Sequence, residues 1–356
     1  MKKILFNVFT IFILTSLFIW LIIVSKEIPK TAGFSRHFTF VDLKFIKAID
    51  LHSSTFRIIG KLENDIALKD YKNPKNIVLL DSVHHLLKSL RVNVEFKKKS
   101  NYINHDHFNK HTILSNSKGE IYKINNRDWS FKFFQSTLLF DQAVSISNSS
   151  LVSRSKQYQA NQMQRSLKKV VLNKYATESA NYNFDEPSSE IFSSDGWLHF
   201  DKQHSKLVYM FYYTGKFICL DTNLKVLYNA KTIDTIVVPR IKTRKLVTQQ
   251  KDGSVIRSTI QTNLGGVVNQ YMTTYNGHIF ILSKIKSNNE NSTKAKNGRA
   301  IDTYSLLDGH YLYSFYIPDY RGLKLRSFYV EKNALTAIYD DFLVIYDYKN
   351  VSKYHP

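Results

Sequence analysis

The sequence predicts an all-β chain, a β-propeller of about six blades, each a four-stranded antiparallel sheet. Three observations carry this. Residues Gly196–Asp234 (GWLHFDKQHSKLVYMFYYTGKFICLDTNLKVLYNAKTID) hold four short strands in a row, separated by polar or glycine-bearing turns at 202–205, 214–215 and 222–224. One of these strands, Leu207–Tyr213 (LVYMFYY), is apolar nearly throughout and has no solvent face. A meander covered on both sides needs a sheet against each face, as a propeller blade has. The third observation is a spacing: a turn residue followed six positions later by Asp or Asn at the end of an apolar strand. It recurs at Asn64–Asp70, Gly119–Asn125, Gly215–Asp221 and Asp341–Asp347, and Asp302–Asp308 is a fifth copy. The terminal carboxylate or amide is expected to bond backbone N–H groups of the next turn.

In chain order, Met1-Lys2-Lys3 forms a short tail (1–3) before Ile4–Val24, 21 residues without a charge. At 1.5 Å per residue such a helix spans roughly 30 Å, the thickness of a bilayer core. The apolar run exceeds the ~7–15 residues of a cleaved signal, and no small-x-small site follows closely. Residues 4–24 therefore read as an uncleaved transmembrane signal anchor, with a cleaved, secreted form as the alternative. Lys2 and Lys3 favour a cytoplasmic tail and an extracytoplasmic main domain, against the opposing pull of Lys26, Lys30 and Arg36. Residues 25–36 read as a tether and 37–356 as the propeller.

Within that domain, Phe38–Ile46 reads as a strand left over at the start. Meanders follow at 54–96 and 111–134, with a less regular one at 142–172. The polar stretch 175–194 reads as a loop. Residues 231–269 have strand-like pieces but no clear place, and 287–299 (SNNENSTKAKNGR) reads as an exposed insertion. Strands at 271–286 and 300–317 supply the next blade. Residues 323–347 hold too few strands for a blade of their own, and the spare N-terminal strand would complete it and close the ring.

Asp195–Thr235 and Ile301–Tyr348 resemble an uncharacterised bacterial family of envelope-associated six-bladed propellers of the TolB-like or NHL-like type. That resemblance implies a fold and a bacterial origin. It transfers no catalytic residue.

Fifty Lys and Arg against 29 Asp and Glu give a formal net charge of +21. No recognition helix, zinc-finger spacing or RNA-recognition motif accompanies the excess, so no nucleic-acid partner is expected. The single cysteine, Cys219, excludes an intramolecular disulfide and reads as a buried thiol. The densest cluster of ligand-type side chains is His105, Asp106 and His107 with His111. His-x-His on a strand puts both rings on one face, and His105, His107 and His111 are the candidate metal ligands. The polar surroundings read instead as a loop with surface histidines, and no other cofactor is expected. Asp340-Asp341 falls at a hairpin turn, where aspartate serves the turn. No nucleophile elbow, phosphate loop or zinc-protease helix is present. The main expectation is a binding module anchored in the bacterial cytoplasmic membrane, with an envelope protein or polymer as partner. The alternative is an enzyme, a hydrolase or lyase, working in the central channel. A channel lined by His, Asp or Arg with displaced pKa values favours the enzyme, and an apolar plug favours the binder.

Overall fold

The computed structural model describes residues 15–16, 33–81, 85–98, 100, 102–159, 162–184, 192–249, 255–263 and 266–350. Six four-stranded antiparallel sheets follow one another along the chain. Strand β1 (Val41–Asp50) comes first but belongs to the last sheet. The first blade holds β2 (Phe56–Leu62), β3 (Asp65–Asp70), β4 (Asn76–Leu80) and β5 (Leu87–Arg91). The second holds β6 (Ile103–Phe108), β7 (His111–Asn116), β8 (Glu120–Asn125) and β9 (Phe131–Gln135). The third runs through β10 (Leu139–Ser147), β11 (Ser150–Gln159), β12 (Gln162–Leu172) and β13 (Ala176–Asn183). The fourth is the meander β14 (Gly196–Asp201), β15 (Lys206–Phe211), β16 (Lys216–Leu220) and β17 (Val226–Lys231). A separate hairpin, β18 (Thr243–Gln249) and β19 (Val255–Gln261), precedes the fifth blade. That blade comprises β20 (Asn269–Tyr275), β21 (His278–Ser283), β22 (Gly298–Ser305) and β23 (Tyr311–Pro318). The sixth is ordered β1-β26-β25-β24, from β24 (Leu325–Val330), β25 (Ala334–Tyr339) and β26 (Phe342–Asn350).

Each first strand touches the first strand of the next blade, and β24 touches β2, so the ring is closed. The closing strand is the predicted one, displaced a few residues: Val41 pairs with Asn350 and Asp50 with Phe342. This joins the two ends of the described domain and leaves no blade incomplete.

Six apolar clusters fill the six interfaces between blades. Leu207, Tyr209 and Phe211 of β15 point towards the third blade, joining Val152 and Leu167. The intervening Val208 and Met210 point towards the fifth, joining Met272 and Ile279. Alternation across the pleat thus buries every side chain of a strand lying between two neighbours, which is why this strand has no polar face. The same holds for β3, β7, β21 and β25, each buried after its first residue. Cys219 lies in the cluster between the fourth and fifth blades, its thiol pushed up by burial.

The structure changes several expectations. The polar stretch 175–194 is not all loop: Ala176–Asn183 is the outermost strand of its blade, with most of its residues exposed. Residues 103–108 are the innermost strand β6 rather than a loop. The insertion at 287–299 contains a short helix α1 (Ser292–Asn297), capped by the Asn291 side chain accepting from Thr293 N and Lys294 N. Its first residues hold the described end of the segment read as a tether. Arg36 donates from Nε to Asp302 Oδ1 at 2.6 Å, from Nη2 to Asp302 Oδ2 at 3.0 Å and from Nη1 to Glu290 Oε1 at 2.6 Å. Phe34 and Arg36 are buried there and belong to the propeller. Among the described residues no helix is long and apolar enough to cross a membrane. The predicted span 4–24 lies outside them except for Thr15 and Ser16.

Candidate functional site

The innermost strands are the least apolar of the buried ones, because one edge of each faces the axis of the ring. Their side chains bond backbone of the next blade instead of a fifth strand. Asn104 Nδ2 donates to Ala143 O at 2.7 Å, and the Asp106 carboxylate accepts from Ser145 N. Gln142 donates to Leu198 O at 2.9 Å and accepts from Leu198 N at 3.1 Å. His199 Nε2 meets Thr274 Oγ1 at 3.0 Å. Between the third and fourth blades a buried ion cluster adds to this. Arg154 reaches Asp141 Oδ1 and Asp195 Oδ1, each at 2.5 Å, and Lys156 reaches Asp141 Oδ2 at 2.8 Å. Burial would raise the Asp141 carboxyl, but Arg154 and Lys156 hold it below its ordinary value.

These polar edges enclose a cavity of about 850 Å³ along the axis, lined by residues of all six innermost strands. It is not an apolar plug. Trp197, Tyr71, Tyr102, Tyr271, Tyr275 and Tyr329 form much of its wall, and the Trp197 and Tyr271 rings lie 5.3 Å apart.

Two side chains in this wall stand apart from the inter-blade ties. Lys69, on β3, is 2% exposed. Its Nζ donates to Ile103 O and lies 4.4 Å from the Tyr71 ring and 4.8 Å from the Tyr102 ring. No described carboxylate pairs with it, and burial pushes its ammonium down to about 7. His105 is 3% exposed, and neither ring nitrogen has a hydrogen-bond partner among the described residues. Burial, then the Lys69 charge, then His107 hold it neutral, well below the ordinary imidazole range. Farther along the channel, burial lowers His199 to about 4 and raises Asp106.

His105 and His107 do share one face of β6, as the His-x-His spacing requires, but they are buried rather than on the surface. His107 Nδ1 is already engaged with Thr112 Oγ1 at 2.8 Å. His111 pairs with Phe108 across the hairpin, which puts it on the opposite face of the sheet from His107 and its partner Thr112. The register therefore sets His111 apart from His105 and His107. Among the described residues no group of three or more His, Cys, Asp or Glu side chains is placed to hold a metal ion. These donors do not fit a metal centre. Lys69 was visible only as a cation between the apolar run Ile66–Leu68 and Asp70, a charge where the strand pattern demands burial.

No family model matches the chain, and no curated protein sequence does. Solved structures do. A member of the DUF4221 family from Bacteroides vulgatus superposes with a TM-score of 0.50 at 12% identity, over 87% of this chain and 98% of that one. BamB from Moraxella catarrhalis aligns over 86% of this chain and 100% of its own, with a TM-score of 0.40 and 10% identity. The β-propeller domain of Myceliophteria thermophila Cps50 (Swd1) aligns over 86% and 99%, with 0.43 and 10%. At 12% identity the likeness to the Bacteroides vulgatus protein is one of fold alone, and the fold of this chain, given by its own six closed sheets, is a six-bladed β-propeller.

Proposed function

We propose that the protein is a binding module of the bacterial envelope, held at the cytoplasmic membrane by residues 4–24, and that its ligand enters the central channel. One observation carries this: the axis of the ring is an open cavity of about 850 Å³ whose wall combines aromatic faces with a buried lysine and an unbonded imidazole. A propeller has a central channel whether or not it binds anything, so the argument rests on what lines this one: aromatic faces that can stack on a ligand and two buried polar groups, Lys69 and His105, with bonding capacity left over among the described residues. The uncharged run Ile4–Val24 supports the anchor, and the resemblance of Asp195–Thr235 and Ile301–Tyr348 to envelope propellers supports the compartment.

Catalysis in the channel is a second reading, and the wall favours it: no apolar plug fills the cavity, and Lys69, His105, Asp106 and His199 line it with displaced pKa values. An amine lowered to about 7 exchanges protons near neutrality, while His105 stays neutral there. Asp106 and His107 are already committed to Ser145 N and Thr112, which makes them ties rather than acids or bases.

The test is to isolate the full chain from crosslinked envelopes and identify both attached proteins and retained small molecules by mass spectrometry. A small molecule retained at about one per chain supports the channel site. Its chemical alteration on incubation would favour the enzyme. Recovery of a stoichiometric protein partner with an empty channel would move the function to the faces of the propeller.

A further inference from the structure

Lys69 and His105 present one chemistry to the channel. Lys69 offers N–H groups only, and it is a buried cation without a carboxylate partner among the described residues. Tyr71 and Tyr102 flank it and keep neutral phenols, because burial raises both. His105, with both ring nitrogens unbonded, has one N–H to give and can be charged by an anion placed beside it. Donors that line one end of a cavity fit an acceptor that carries negative charge, and a bound anion would supply the counter-charge that no described carboxylate gives Lys69.

We propose that this end of the channel is an anion subsite, and that its ligand is a small ring-bearing carboxylate whose carboxyl group meets Lys69 and His105. The inference rests on the channel being a ligand site. A carboxylate fits better than a phosphate because no arginine is among the described residues that line the cavity, and at this end Lys69 with His105 balances a single charge, Lys202 being engaged by His107 O and beside Asp106. The ring body follows from the composition of the wall, in which Trp197, Tyr271, Tyr71, Tyr102, Tyr275 and Tyr329 supply aromatic surface on which a ring can pack.

The sequence holds three tryptophans, Trp20, Trp129 and Trp197, of which Trp197 lines the cavity. In a full-length chain carrying Trp20→Phe and Trp129→Phe, its fluorescence reports on the channel alone. Glucuronate and benzoate are titrated against their neutral counterparts, glucose and benzyl alcohol, and against inorganic phosphate. At least one acid is expected to bind about tenfold or more tightly than its neutral partner, the worth of one charge-assisted hydrogen bond. Lys69→Met is expected to remove that preference and His105→Phe to weaken it, with each variant's fold checked by circular dichroism. Equal binding of the acid and its neutral counterpart would overturn the anion subsite while leaving the channel as a ligand site. An unchanged preference in Lys69→Met would do the same. Tighter binding of phosphate than of either acid would overturn the carboxylate assignment. No response to any of the five compounds would overturn the subsite, and with a channel found empty in the envelope preparation it would remove the ligand site as well.

Discussion

A lysine in a strand buried on both faces is a thermodynamic burden unless something outside the fold makes use of it. Lys69 is that residue: burial lowers its ammonium from 10.5 to about 7, so the folded chain holds its proton less tightly than the unfolded chain does. Between pH 7 and 10.5 the unfolded state binds more protons, and stability rises with pH across that window. Below pH 7 the penalty is present in full. At about 1.4 kcal/mol per pKa unit it amounts to several kcal/mol, with about 5 as the upper bound. The groups facing Lys69 leave the window clear, since burial raises Tyr71 and Tyr102 and holds His105 far below it. Lys69→Met should therefore be more stable than the parent at pH 6, and the difference should shrink as pH rises towards 10. Urea unfolding at pH 6, 8 and 9.5 measures this, and parallel curves at every pH would show that the amine is not desolvated. A stabilising substitution that abolishes ligand binding would mark Lys69 as kept for the site rather than for the fold. At this scale the sequence was only partly readable. The spacing of His105 and His107 correctly placed both rings on one face, but their polar neighbours read as a surface loop. Asn104 and Asp106 are polar because they tie one blade to the next, a reason that no local pattern announces.

Among the elements, the strands that could be read were the ones with neighbours on both sides. The spacing of a turn residue six positions before Asp or Asn identified third strands in four blades, β8, β16, β22 and β26, and a second strand, β3, in the first. The terminal side chain does what the spacing predicts: Asp221 Oδ1 accepts from Asn223 N at 2.8 Å and Lys225 N at 2.9 Å, and Asn125 Oδ1 accepts from Arg127 N at 3.1 Å. The preceding turns need unusual backbone, which Gly119 (φ +81°) and Asp340 (φ 45°) adopt. The outer strand β13 was missed because most of it faces solvent, and nothing apolar marks its alternation. The segment at 33–36 was also misread, since its few residues look polar until Arg36 finds its partners on a loop more than 250 positions away. That contact yields a prediction. Arg36→Ala would leave Asp302 and Glu290 buried beside each other without a cation, at a cost of roughly 3–5 kcal/mol. Arg36→Met with Asp302→Asn and Glu290→Gln should recover a large part of the loss, because no charge is then left alone. Thermal and urea unfolding of the two variants decides it. A loss under about 1 kcal/mol for Arg36→Ala would mean that the clamp is wet and weak.

For the whole molecule, closure of the ring follows from the pairing of β1 with β26, and the six apolar clusters make each blade depend on two others. The architecture was legible because a strand without a solvent face implies a stack of sheets, and a chain beginning with one spare strand and ending one short implies a ring. The channel was not legible: its wall takes one edge from each of six strands spread from β2 to β24, and no window of sequence holds two of them together. Location is the property of the whole chain that remains to be measured. If residues 4–24 span the cytoplasmic membrane with the propeller outside, the full-length chain should stay with the membranes through alkaline carbonate extraction. A chain beginning at Gly33 should retain the Arg36 clamp and the complete ring, so it should fold and remain in the soluble fraction. Protease added to cells with a permeabilised outer layer should digest the propeller of the full-length protein while cytoplasmic markers survive. Release of the full-length chain by carbonate would remove the anchor and favour the cleaved, secreted form. Protection of the propeller until the cytoplasmic membrane is broken would reverse the orientation, placing the channel and its ligand in the cytoplasm, because the charges at Lys26, Lys30 and Arg36 would then have outweighed Lys2 and Lys3.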